Sequence, residues 1–193
     1  MIEIIAATGN AHKVKEFREI LGDNYDIKSL KEIGLTVDVV EDADTFFGNA
    51  FKKAKAIAEA TGKIALADDS GLIVDALGGA PGVYSARYAG EDGNDLLNRQ
   101  KLLKEMKGIE NRSARFYASI VLYFPNGEYI HTEGKTEGTI LYKEEGDQGF
   151  GYDSLFYSLD LKESFGTASP EDKNSVSHRG RALEALVKLL KNK

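Results

Sequence analysis

A chain of 193 residues is long enough for one compact domain, or one domain of two lobes, with a substantial core, and too short for two independent domains. Hydrophobic residues make up 42% and charged residues 29%, which excludes a disordered chain, and the absence of cysteine excludes disulfides, thiolate catalysis and Cys-ligated zinc or iron–sulfur sites. With 31 acidic against 25 basic residues, the net charge of −6 argues against a nucleic acid polymer as the main partner, while a small anionic ligand stays open wherever basic residues cluster.

Met1 to Ala7 is apolar but carries Glu3, lacks a basic leader and meets Gly9-Asn10 too soon for a signal peptide. No stretch approaches the roughly 20 apolar residues of a membrane span, so the expectation is a cytoplasmic protein with no membrane partner. Ile2 to Ala7 instead reads as a buried first strand closed by Thr8-Gly9. A helix follows, with Asn10 as N-cap and Val14, Phe17, Ile20 and Leu21 on one face before Gly22. A second helix is capped by Asp44, carries an apolar stripe of Phe47, Ala50, Phe51, Ala54, Ile57 and Ala58, and ends at Thr61-Gly62.

Ile64 to Ala67 and Leu72 to Val74 read as strands flanking Asp68-Asp69-Ser70-Gly71, which places these polar residues where a strand ends or turns. Gly78 to about Gly90 is a loop, and Asn94 to Met106 a third helix. Ala114 to Phe124 and Glu128 to Thr136, joined by Pro125-Asn126-Gly127, have the chemistry of an antiparallel hairpin, which makes the sheet mixed. Gly146 to Asp153 is a glycine-bearing loop. The last helix begins after Ser177, with Ala182, Leu183, Leu186, Leu189 and Leu190 on its inner face. The pattern as a whole predicts an α/β fold without repeats, low-complexity tracts or linkers.

Four groups of residues carry candidate chemistry. Thr8-Gly9-Asn10 with Lys13 sits where a strand feeds a helix start, whose backbone N–H groups can hold phosphate; the plainer alternative is that Asn10 only caps the helix and Lys13 is solvated. Glu41, Asp42 and Asp44 precede one helix and Asp68 and Asp69 close a strand, a set that suits Mg²⁺, which takes one or two carboxylates together with phosphate oxygens and waters. Capping explains Asp42 and Asp44 equally well, whereas Asp69 is not required by a cap. His178-Arg179 opens the last helix, where the macrodipole disfavours cations by a few tenths to ~1 kcal/mol; a nucleotide, or an acid such as Asp153 or Glu171, offsets that, or the arginine is simply exposed. Phe150-Gly151-Tyr152-Asp153 can stack on a base and accept a hydrogen bond from it, or can be core packing, as can Tyr84 and Tyr88. His12 and His131 form no ligand spacing with His178 and read as surface or loop residues.

Taken together, these segments resemble the inosine/xanthosine triphosphate pyrophosphatases. The resemblance covers nearly the whole chain and rests on Thr8-Gly9-Asn10 with Lys13, Asn49-Ala50 with Lys53-Ala54, and Asp68-Asp69-Ser70-Gly71-Leu72. It continues through Pro81-Gly82-Val83-Tyr84-Ser85-Ala86-Arg87-Tyr88, Gly149-Phe150-Gly151-Tyr152-Asp153 and Ser177-His178-Arg179. It implies a single two-lobed domain over residues 1–193, an elongated mixed sheet with flanking helices, an active cleft between the lobes and a homodimer. The implied reaction is Mg²⁺-dependent hydrolysis of abnormal purine nucleoside triphosphates, such as ITP, dITP and XTP, to the monophosphate and pyrophosphate.

Carried onto this sequence, the resemblance implies that Thr8, Gly9, Asn10, Ala11, His12, Lys13 and Lys53 surround the triphosphate. Glu41 and Asp69 would bind Mg²⁺, Asp69 would also be the base, and Ser70 would line the substrate. Phe150, Gly151, Tyr152, Asp153, Lys173, His178 and Arg179 would surround the purine. Two positions depart from the pattern: Gly48 replaces the usual Glu, putting a charge there in doubt, and Ser154 replaces the usual Pro, which leaves the base loop less rigid. The rival readings are a different nucleotide phosphotransferase, a non-catalytic nucleotide sensor and an interaction domain with no nucleotide site. The chain has no Walker-type Gly-Lys-Ser/Thr loop, which counts against a P-loop enzyme.

Overall fold

The protein is described from a computed structural model over residues 1–191. Along these residues run β1 (Ile2–Ala6), α1 (Ala11–Leu21), β2 (Tyr25–Ser29), α2 (Phe46–Thr61), β3 (Ala65–Val74) and α3 (Asp95–Glu105). They are followed by β4 (Ser113–Tyr123), β5 (Tyr129–Ile140), β6 (Phe156–Ser158), β7 (Glu163–Ser164), α4 (Pro170–Val176) and α5 (His178–Lys191). The strands form one seven-stranded sheet in the order β2-β1-β3-β4-β5-β6-β7. β1 runs parallel to β2 and β3, whereas β5–β6 and β6–β7 are antiparallel, so the expected mixed α/β sheet is what forms. No helix among the described residues is long and apolar enough to cross a membrane.

The chain divides into two compact units. The first comprises Met1–Asp69, Ala118–Gly134 and the residues from Arg179 onward; the second comprises Ser70–Tyr117 and Lys135–His178. In the first unit the strand alternation sorts side chains onto two faces. Ile4, Ala6 and Leu66 bury with Val14, Phe17 and Leu21 of α1 and Ala182, Leu183 and Leu186 of α5. Ile5, Ala7, Ala65 and Ala67 bury with Ala50, Ala54, Ile57 and Ala58 of α2. Five of these facing residues on α2 and β3 are alanines, and their small side chains let the helix lie close to the strand. In the second unit Leu72, Val74, Phe116, Ile140, Phe156 and Phe165 form the core with Leu102 and Met106 from the region of α3.

Five local expectations are corrected. β3 does not end or turn at Asp68: it runs unbroken through Asp68-Asp69-Ser70-Gly71, because each carboxylate finds partners on its own face, as described below. The cap of α2 is Thr45, not Asp44; Thr45 is extended, and its Oγ1 accepts the Gly48 N–H at 3.0 Å. Leu189 is not on the inner face of α5 but is 47% exposed, and Tyr84 is 57% exposed rather than packed. The segment Gly82–Arg87, expected as loop, forms short 3₁₀ turns.

Candidate active site

The alternation of β3 sends adjacent carboxylates to opposite faces. Asp68 follows Leu66 toward α1 and α5, and Asp69 follows Ala67 toward α2. On the first face, Arg179 extends the buried stripe of α5 back by one turn and grips Asp68 with a two-pronged fork, Nε to Oδ2 at 3.0 Å and Nη2 to Oδ1 at 3.1 Å. Its Nη1 reaches Glu16 Oε2 at 2.5 Å, and Lys13 Nζ reaches Asp68 Oδ1 at 2.6 Å. Two cations and two anions are thus closed off together, with Asp68 and Arg179 almost wholly buried. The acids that offset Arg179 are Asp68 and Glu16, which corrects the expectation of Asp153 or Glu171.

Burial by itself would push the Asp68 carboxyl up, but the Arg179 and Lys13 charges outweigh it and hold the group far below the usual carboxylate range. Lys13 shows the reverse balance. Burial pulls its ammonium down, and Asp68, which it shares with Arg179, only partly restores it against the nearby Lys53 and Arg179 charges. An under-compensated buried ammonium of this kind is stabilised by an incoming anion.

On the second face, Asn49 and Lys53 lie one turn apart on α2 and both point at β3. Asn49 Nδ2 donates to Asp69 Oδ2 at 3.3 Å, and its Oδ1 accepts the Ala43 N–H at 3.0 Å. Gly48 allows that approach: a Cβ there would lie 2.7 Å from the Ala43 Cβ. Lys53 Nζ pairs with Glu41 Oε1 at 2.6 Å and stands 3.8 Å from Asp69 Oδ1. Burial pushes the Asp69 carboxyl up to about 6; Lys53 and Lys13 oppose that rise, and the neighbouring Glu41 and Asp68 charges add to it.

The two lysines meet. Lys53 Nζ donates to the Asp68 backbone carbonyl at 2.9 Å and Lys13 Nζ to the same oxygen at 3.5 Å, so ammonium groups from two helices converge on one peptide, with Asp69 next along the strand. Upstream, Asn10 caps α1, its Oδ1 accepting the His12 N–H at 3.0 Å and the Lys13 N–H at 3.4 Å, while Thr8 Oγ1 accepts the Asn10 N–H at 3.1 Å. Asn10 is thus the cap of α1, Lys13 is engaged by Asp68 rather than solvated, and Gly9, Ala11 and His12 are exposed.

No set of three His, Asp or Glu side chains is gathered to hold a metal among the described residues. A hard cation such as Mg²⁺ does not need one, since one or two carboxylates suffice when phosphate and water complete the shell. Glu41 and Asp69 fit that requirement chemically: both are oxygen donors, and the raised Asp69 carboxyl is one whose ionised form a cation would favour. A second constellation is excluded as a nucleophile relay. Ser119 Oγ lies 2.8 Å from His131 Nε2, but Glu133 faces the same nitrogen at 3.5 Å, where an orienting acid needs the other one.

In the second unit, the loop before β6 gathers a different set. Asp153 Oδ2 accepts the Phe150 N–H at 3.0 Å and the Lys173 ammonium at 2.7 Å, and Lys173 Nζ lies 4.9 Å from the Phe150 ring centre. Gly149 is obligatory here, since a Cβ would fall 2.1 Å from Asp153 Oδ2. Tyr152 OH donates to the Ser85 carbonyl at 2.6 Å, and burial, with Tyr88 and Asp95 nearby, keeps its phenol protonated well beyond the usual range. The His178 ring stacks on Phe116 with centres 4.8 Å apart. Ser70, on β3, is half-buried. These residues supply an aromatic face, an ammonium donor and a carboxylate acceptor.

A family model described as the Ham1 family matches residues 4–189. The chain belongs to the Ham1 family. A dITP/XTP pyrophosphatase of Clostridium perfringens is 50% identical over 99% of this chain and 98% of its own length. That of Bacillus subtilis is 49% identical, with 98% of each chain covered. Among solved structures, a HAM1 protein from Coxiella burnetii superposes with a TM-score of 0.88 at 38% identity, covering 100% of both chains.

Within this Ham1 chain the predicted residues fall into two groups. Thr8, Asn10, Lys13, Glu41, Lys53, Asp69 and Arg179 belong to the first unit, while Ser70, Phe150, Gly151, Tyr152, Asp153, Lys173 and His178 belong to the second. Arg179, expected around the purine, has its guanidinium engaged by Asp68 and Glu16. Reading the sequence missed the roles of Glu16, Asn49, Asp95 and Arg99. Ser154, at the position of the lost proline, donates its Oγ to Glu144 Oε1 at 2.9 Å.

Proposed function

We propose that this chain is a nucleoside triphosphate pyrophosphohydrolase acting on dITP, ITP and XTP, releasing the nucleoside monophosphate and pyrophosphate. The observation that carries the proposal is the convergence of Lys13 and Lys53 on the Asp68 carbonyl, beside a carboxyl at Asp69 whose pKa is raised to about 6. The names of the curated relatives supply the substrate class.

Lys13 and Lys53 hold the phosphates, with Thr8 contributing its hydroxyl from the strand–helix turn. Glu41 and Asp69 hold Mg²⁺, which when bound neutralises charge on the triphosphate. Asp69, ionised when it holds the cation, stands beside the two lysines where it would orient the attacking water and accept its proton. The water oxygen forms a bond to the α-phosphorus, the bond from that phosphorus to the αβ-bridging oxygen breaks, and pyrophosphate leaves under the charge of the lysines.

Phe150 gives the purine a face to stack on, and Lys173 and His178 donate to a 6-oxo group. Facing adenine, such donors lose their acceptor at ~1–3 kcal/mol per buried group, which favours inosine and xanthosine nucleotides. A homodimer in the cytoplasm belongs to the same reading and rests on the family resemblance.

Hydrolysis in H₂¹⁸O tests the chemistry. Attack at the α-phosphorus puts the label in the monophosphate and none in pyrophosphate; label in pyrophosphate or in orthophosphate overturns the proposal.

A further inference from the structure

We infer that Asp95 and Arg99, one turn apart on α3, are positioning residues that fix the base-contacting loop through Gly151 and thereby set discrimination between purines. The inference rests on the reading of residues 149–153 as the base loop. Gly151 has a positive φ of 61° and lies outside any helix or strand ladder, so its peptide groups need partners from side chains. α3 supplies both. Gly151 N–H donates to Asp95 Oδ2 at 3.0 Å, and Arg99 Nη1 donates to the Gly151 carbonyl at 3.0 Å.

The same arginine is braced from behind. Its Nε donates to Glu144, whose Oε1 also accepts from Ser154 Oγ at 2.9 Å, so the residue that stands in place of the usual proline is tied to the group that holds Gly151. α3 is itself anchored by the buried Asn98, which donates to the Ala86 carbonyl at 2.9 Å and accepts the Ala89 N–H at 2.8 Å. Next to Ala86 is Ser85, whose carbonyl receives the Tyr152 hydroxyl. The bonds close a ring from α3 to Gly151, to Tyr152, to the 85–89 segment and back to α3. Gly151 joins Phe150 to Tyr152, so displacing its peptide moves both aromatic rings. None of these side chains carries a group the hydrolysis uses.

Arg99→Met, Asp95→Ala and Arg99→Lys, each checked for unchanged Tm, test the inference in the full-length protein. Amide hydrogen exchange at Gly151 is expected to accelerate in Asp95→Ala. In Arg99→Met, KM for ITP is expected to rise about 10-fold, with kcat held within about 2-fold and the ITP-to-ATP ratio of kcat/KM falling about 10-fold. Arg99→Lys, which keeps a donor for the Gly151 carbonyl, is expected to recover much of the ratio. A loss confined to kcat, an unchanged ratio in Arg99→Met, or unchanged Gly151 exchange in Asp95→Ala overturns the inference. Phe150→Ala separates the two claims. If it leaves the ITP-to-ATP ratio unchanged, the base-loop reading falls and this inference with it; if it changes the ratio while Arg99→Met does not, only this inference falls.

Discussion

Asp68 and Asp69 are neighbours in one strand, yet the protein drives their carboxyls in opposite directions. Asp68 is gripped by the Arg179 fork and by Lys13, which overcome its burial and hold it deeply ionised. Asp69, on the other face, meets the amide of Asn49 at 3.3 Å and the Lys53 ammonium only at 3.8 Å, so burial prevails and its pKa rises to about 6. Pairs of titratable groups pushed apart by their surroundings mark a division of roles. On the function proposed here, Asp68 is the structural member of the pair and Asp69 the reactive one.

The division predicts that Asp69→Asn trades activity for stability. The folded pKa of Asp69 lies above its ordinary 3.8, so the ionised form costs folding free energy. That cost is absent below about pH 4, grows as pH rises toward 6, and is complete above it. Without metal at pH 7.5, Asp69→Asn is expected to be more stable than the native chain by about 1–3 kcal/mol, and equal to it near pH 4. Its turnover should fall about 10²–10⁴-fold. Urea titrations at the two pH values, beside a kinetic assay, check both parts; a destabilised variant at pH 7.5 contradicts the account.

Asp68 predicts the opposite. Its folded pKa is depressed, so its contribution is complete above its ordinary 3.8 and is lost as pH falls below that. Asp68→Asn should lower stability by about 3–5 kcal/mol at pH 7, because Arg179 is left buried with half its fork, and the deficit should narrow in acid. Arg179→Lys should recover little relative to Arg179→Met, since one ammonium cannot reproduce two prongs. Denaturant midpoints across pH 3–7 measure this, and a deficit that widens in acid would count against it.

Lys53 links the acidic groups of the first unit to Lys13. It neutralises Glu41 and stands beside Asp69, and it shares the Asp68 carbonyl with Lys13. Lys53→Met should lower kcat/KM about 10²–10³-fold and weaken product inhibition by pyrophosphate. Steady-state kinetics with added pyrophosphate read both, and unchanged inhibition would remove Lys53 from the phosphate grip.

Asp153→Asn and Lys173→Met probe the proposed base loop. The pair is buried with oxygen and nitrogen 2.7 Å apart, so losing either charge disturbs the loop that Asp153 also pins through the Phe150 N–H. Each variant is expected to reduce the preference for ITP over ATP by about 10–100-fold, mainly through KM for ITP. Competition assays with mixed nucleotides measure that ratio directly.

Much of this was legible from the chain because it is local. The apolar run of β1, the Asn10 cap and the stripe of Ala50, Ala54, Ile57 and Ala58 each declare themselves within a few residues. β2 was not legible, since among its five residues only Ile27 is buried and no alternation develops. The unbroken course of β3 was misread because its polar centre is stabilised from afar: Arg179 is 111 residues from Asp68 and 163 from Glu16. Asp95 and Arg99 escaped notice because they bind backbone groups, which leave no trace in residue type. Asp69 is legible as a candidate because a cap does not explain it, and its raised carboxyl is compatible with that reading.

The most direct test of the central claim is a comparison of kcat/KM for ITP, dITP, XTP, GTP and ATP with Mg²⁺, products identified, with Asp69→Asn as control. The account predicts monophosphate and pyrophosphate from ITP, dITP and XTP, weak turnover of ATP, turnover reduced about 10²–10⁴-fold in the control, and loss of turnover on chelation. Diphosphate with orthophosphate, or ATP cleaved as fast as ITP, would contradict it.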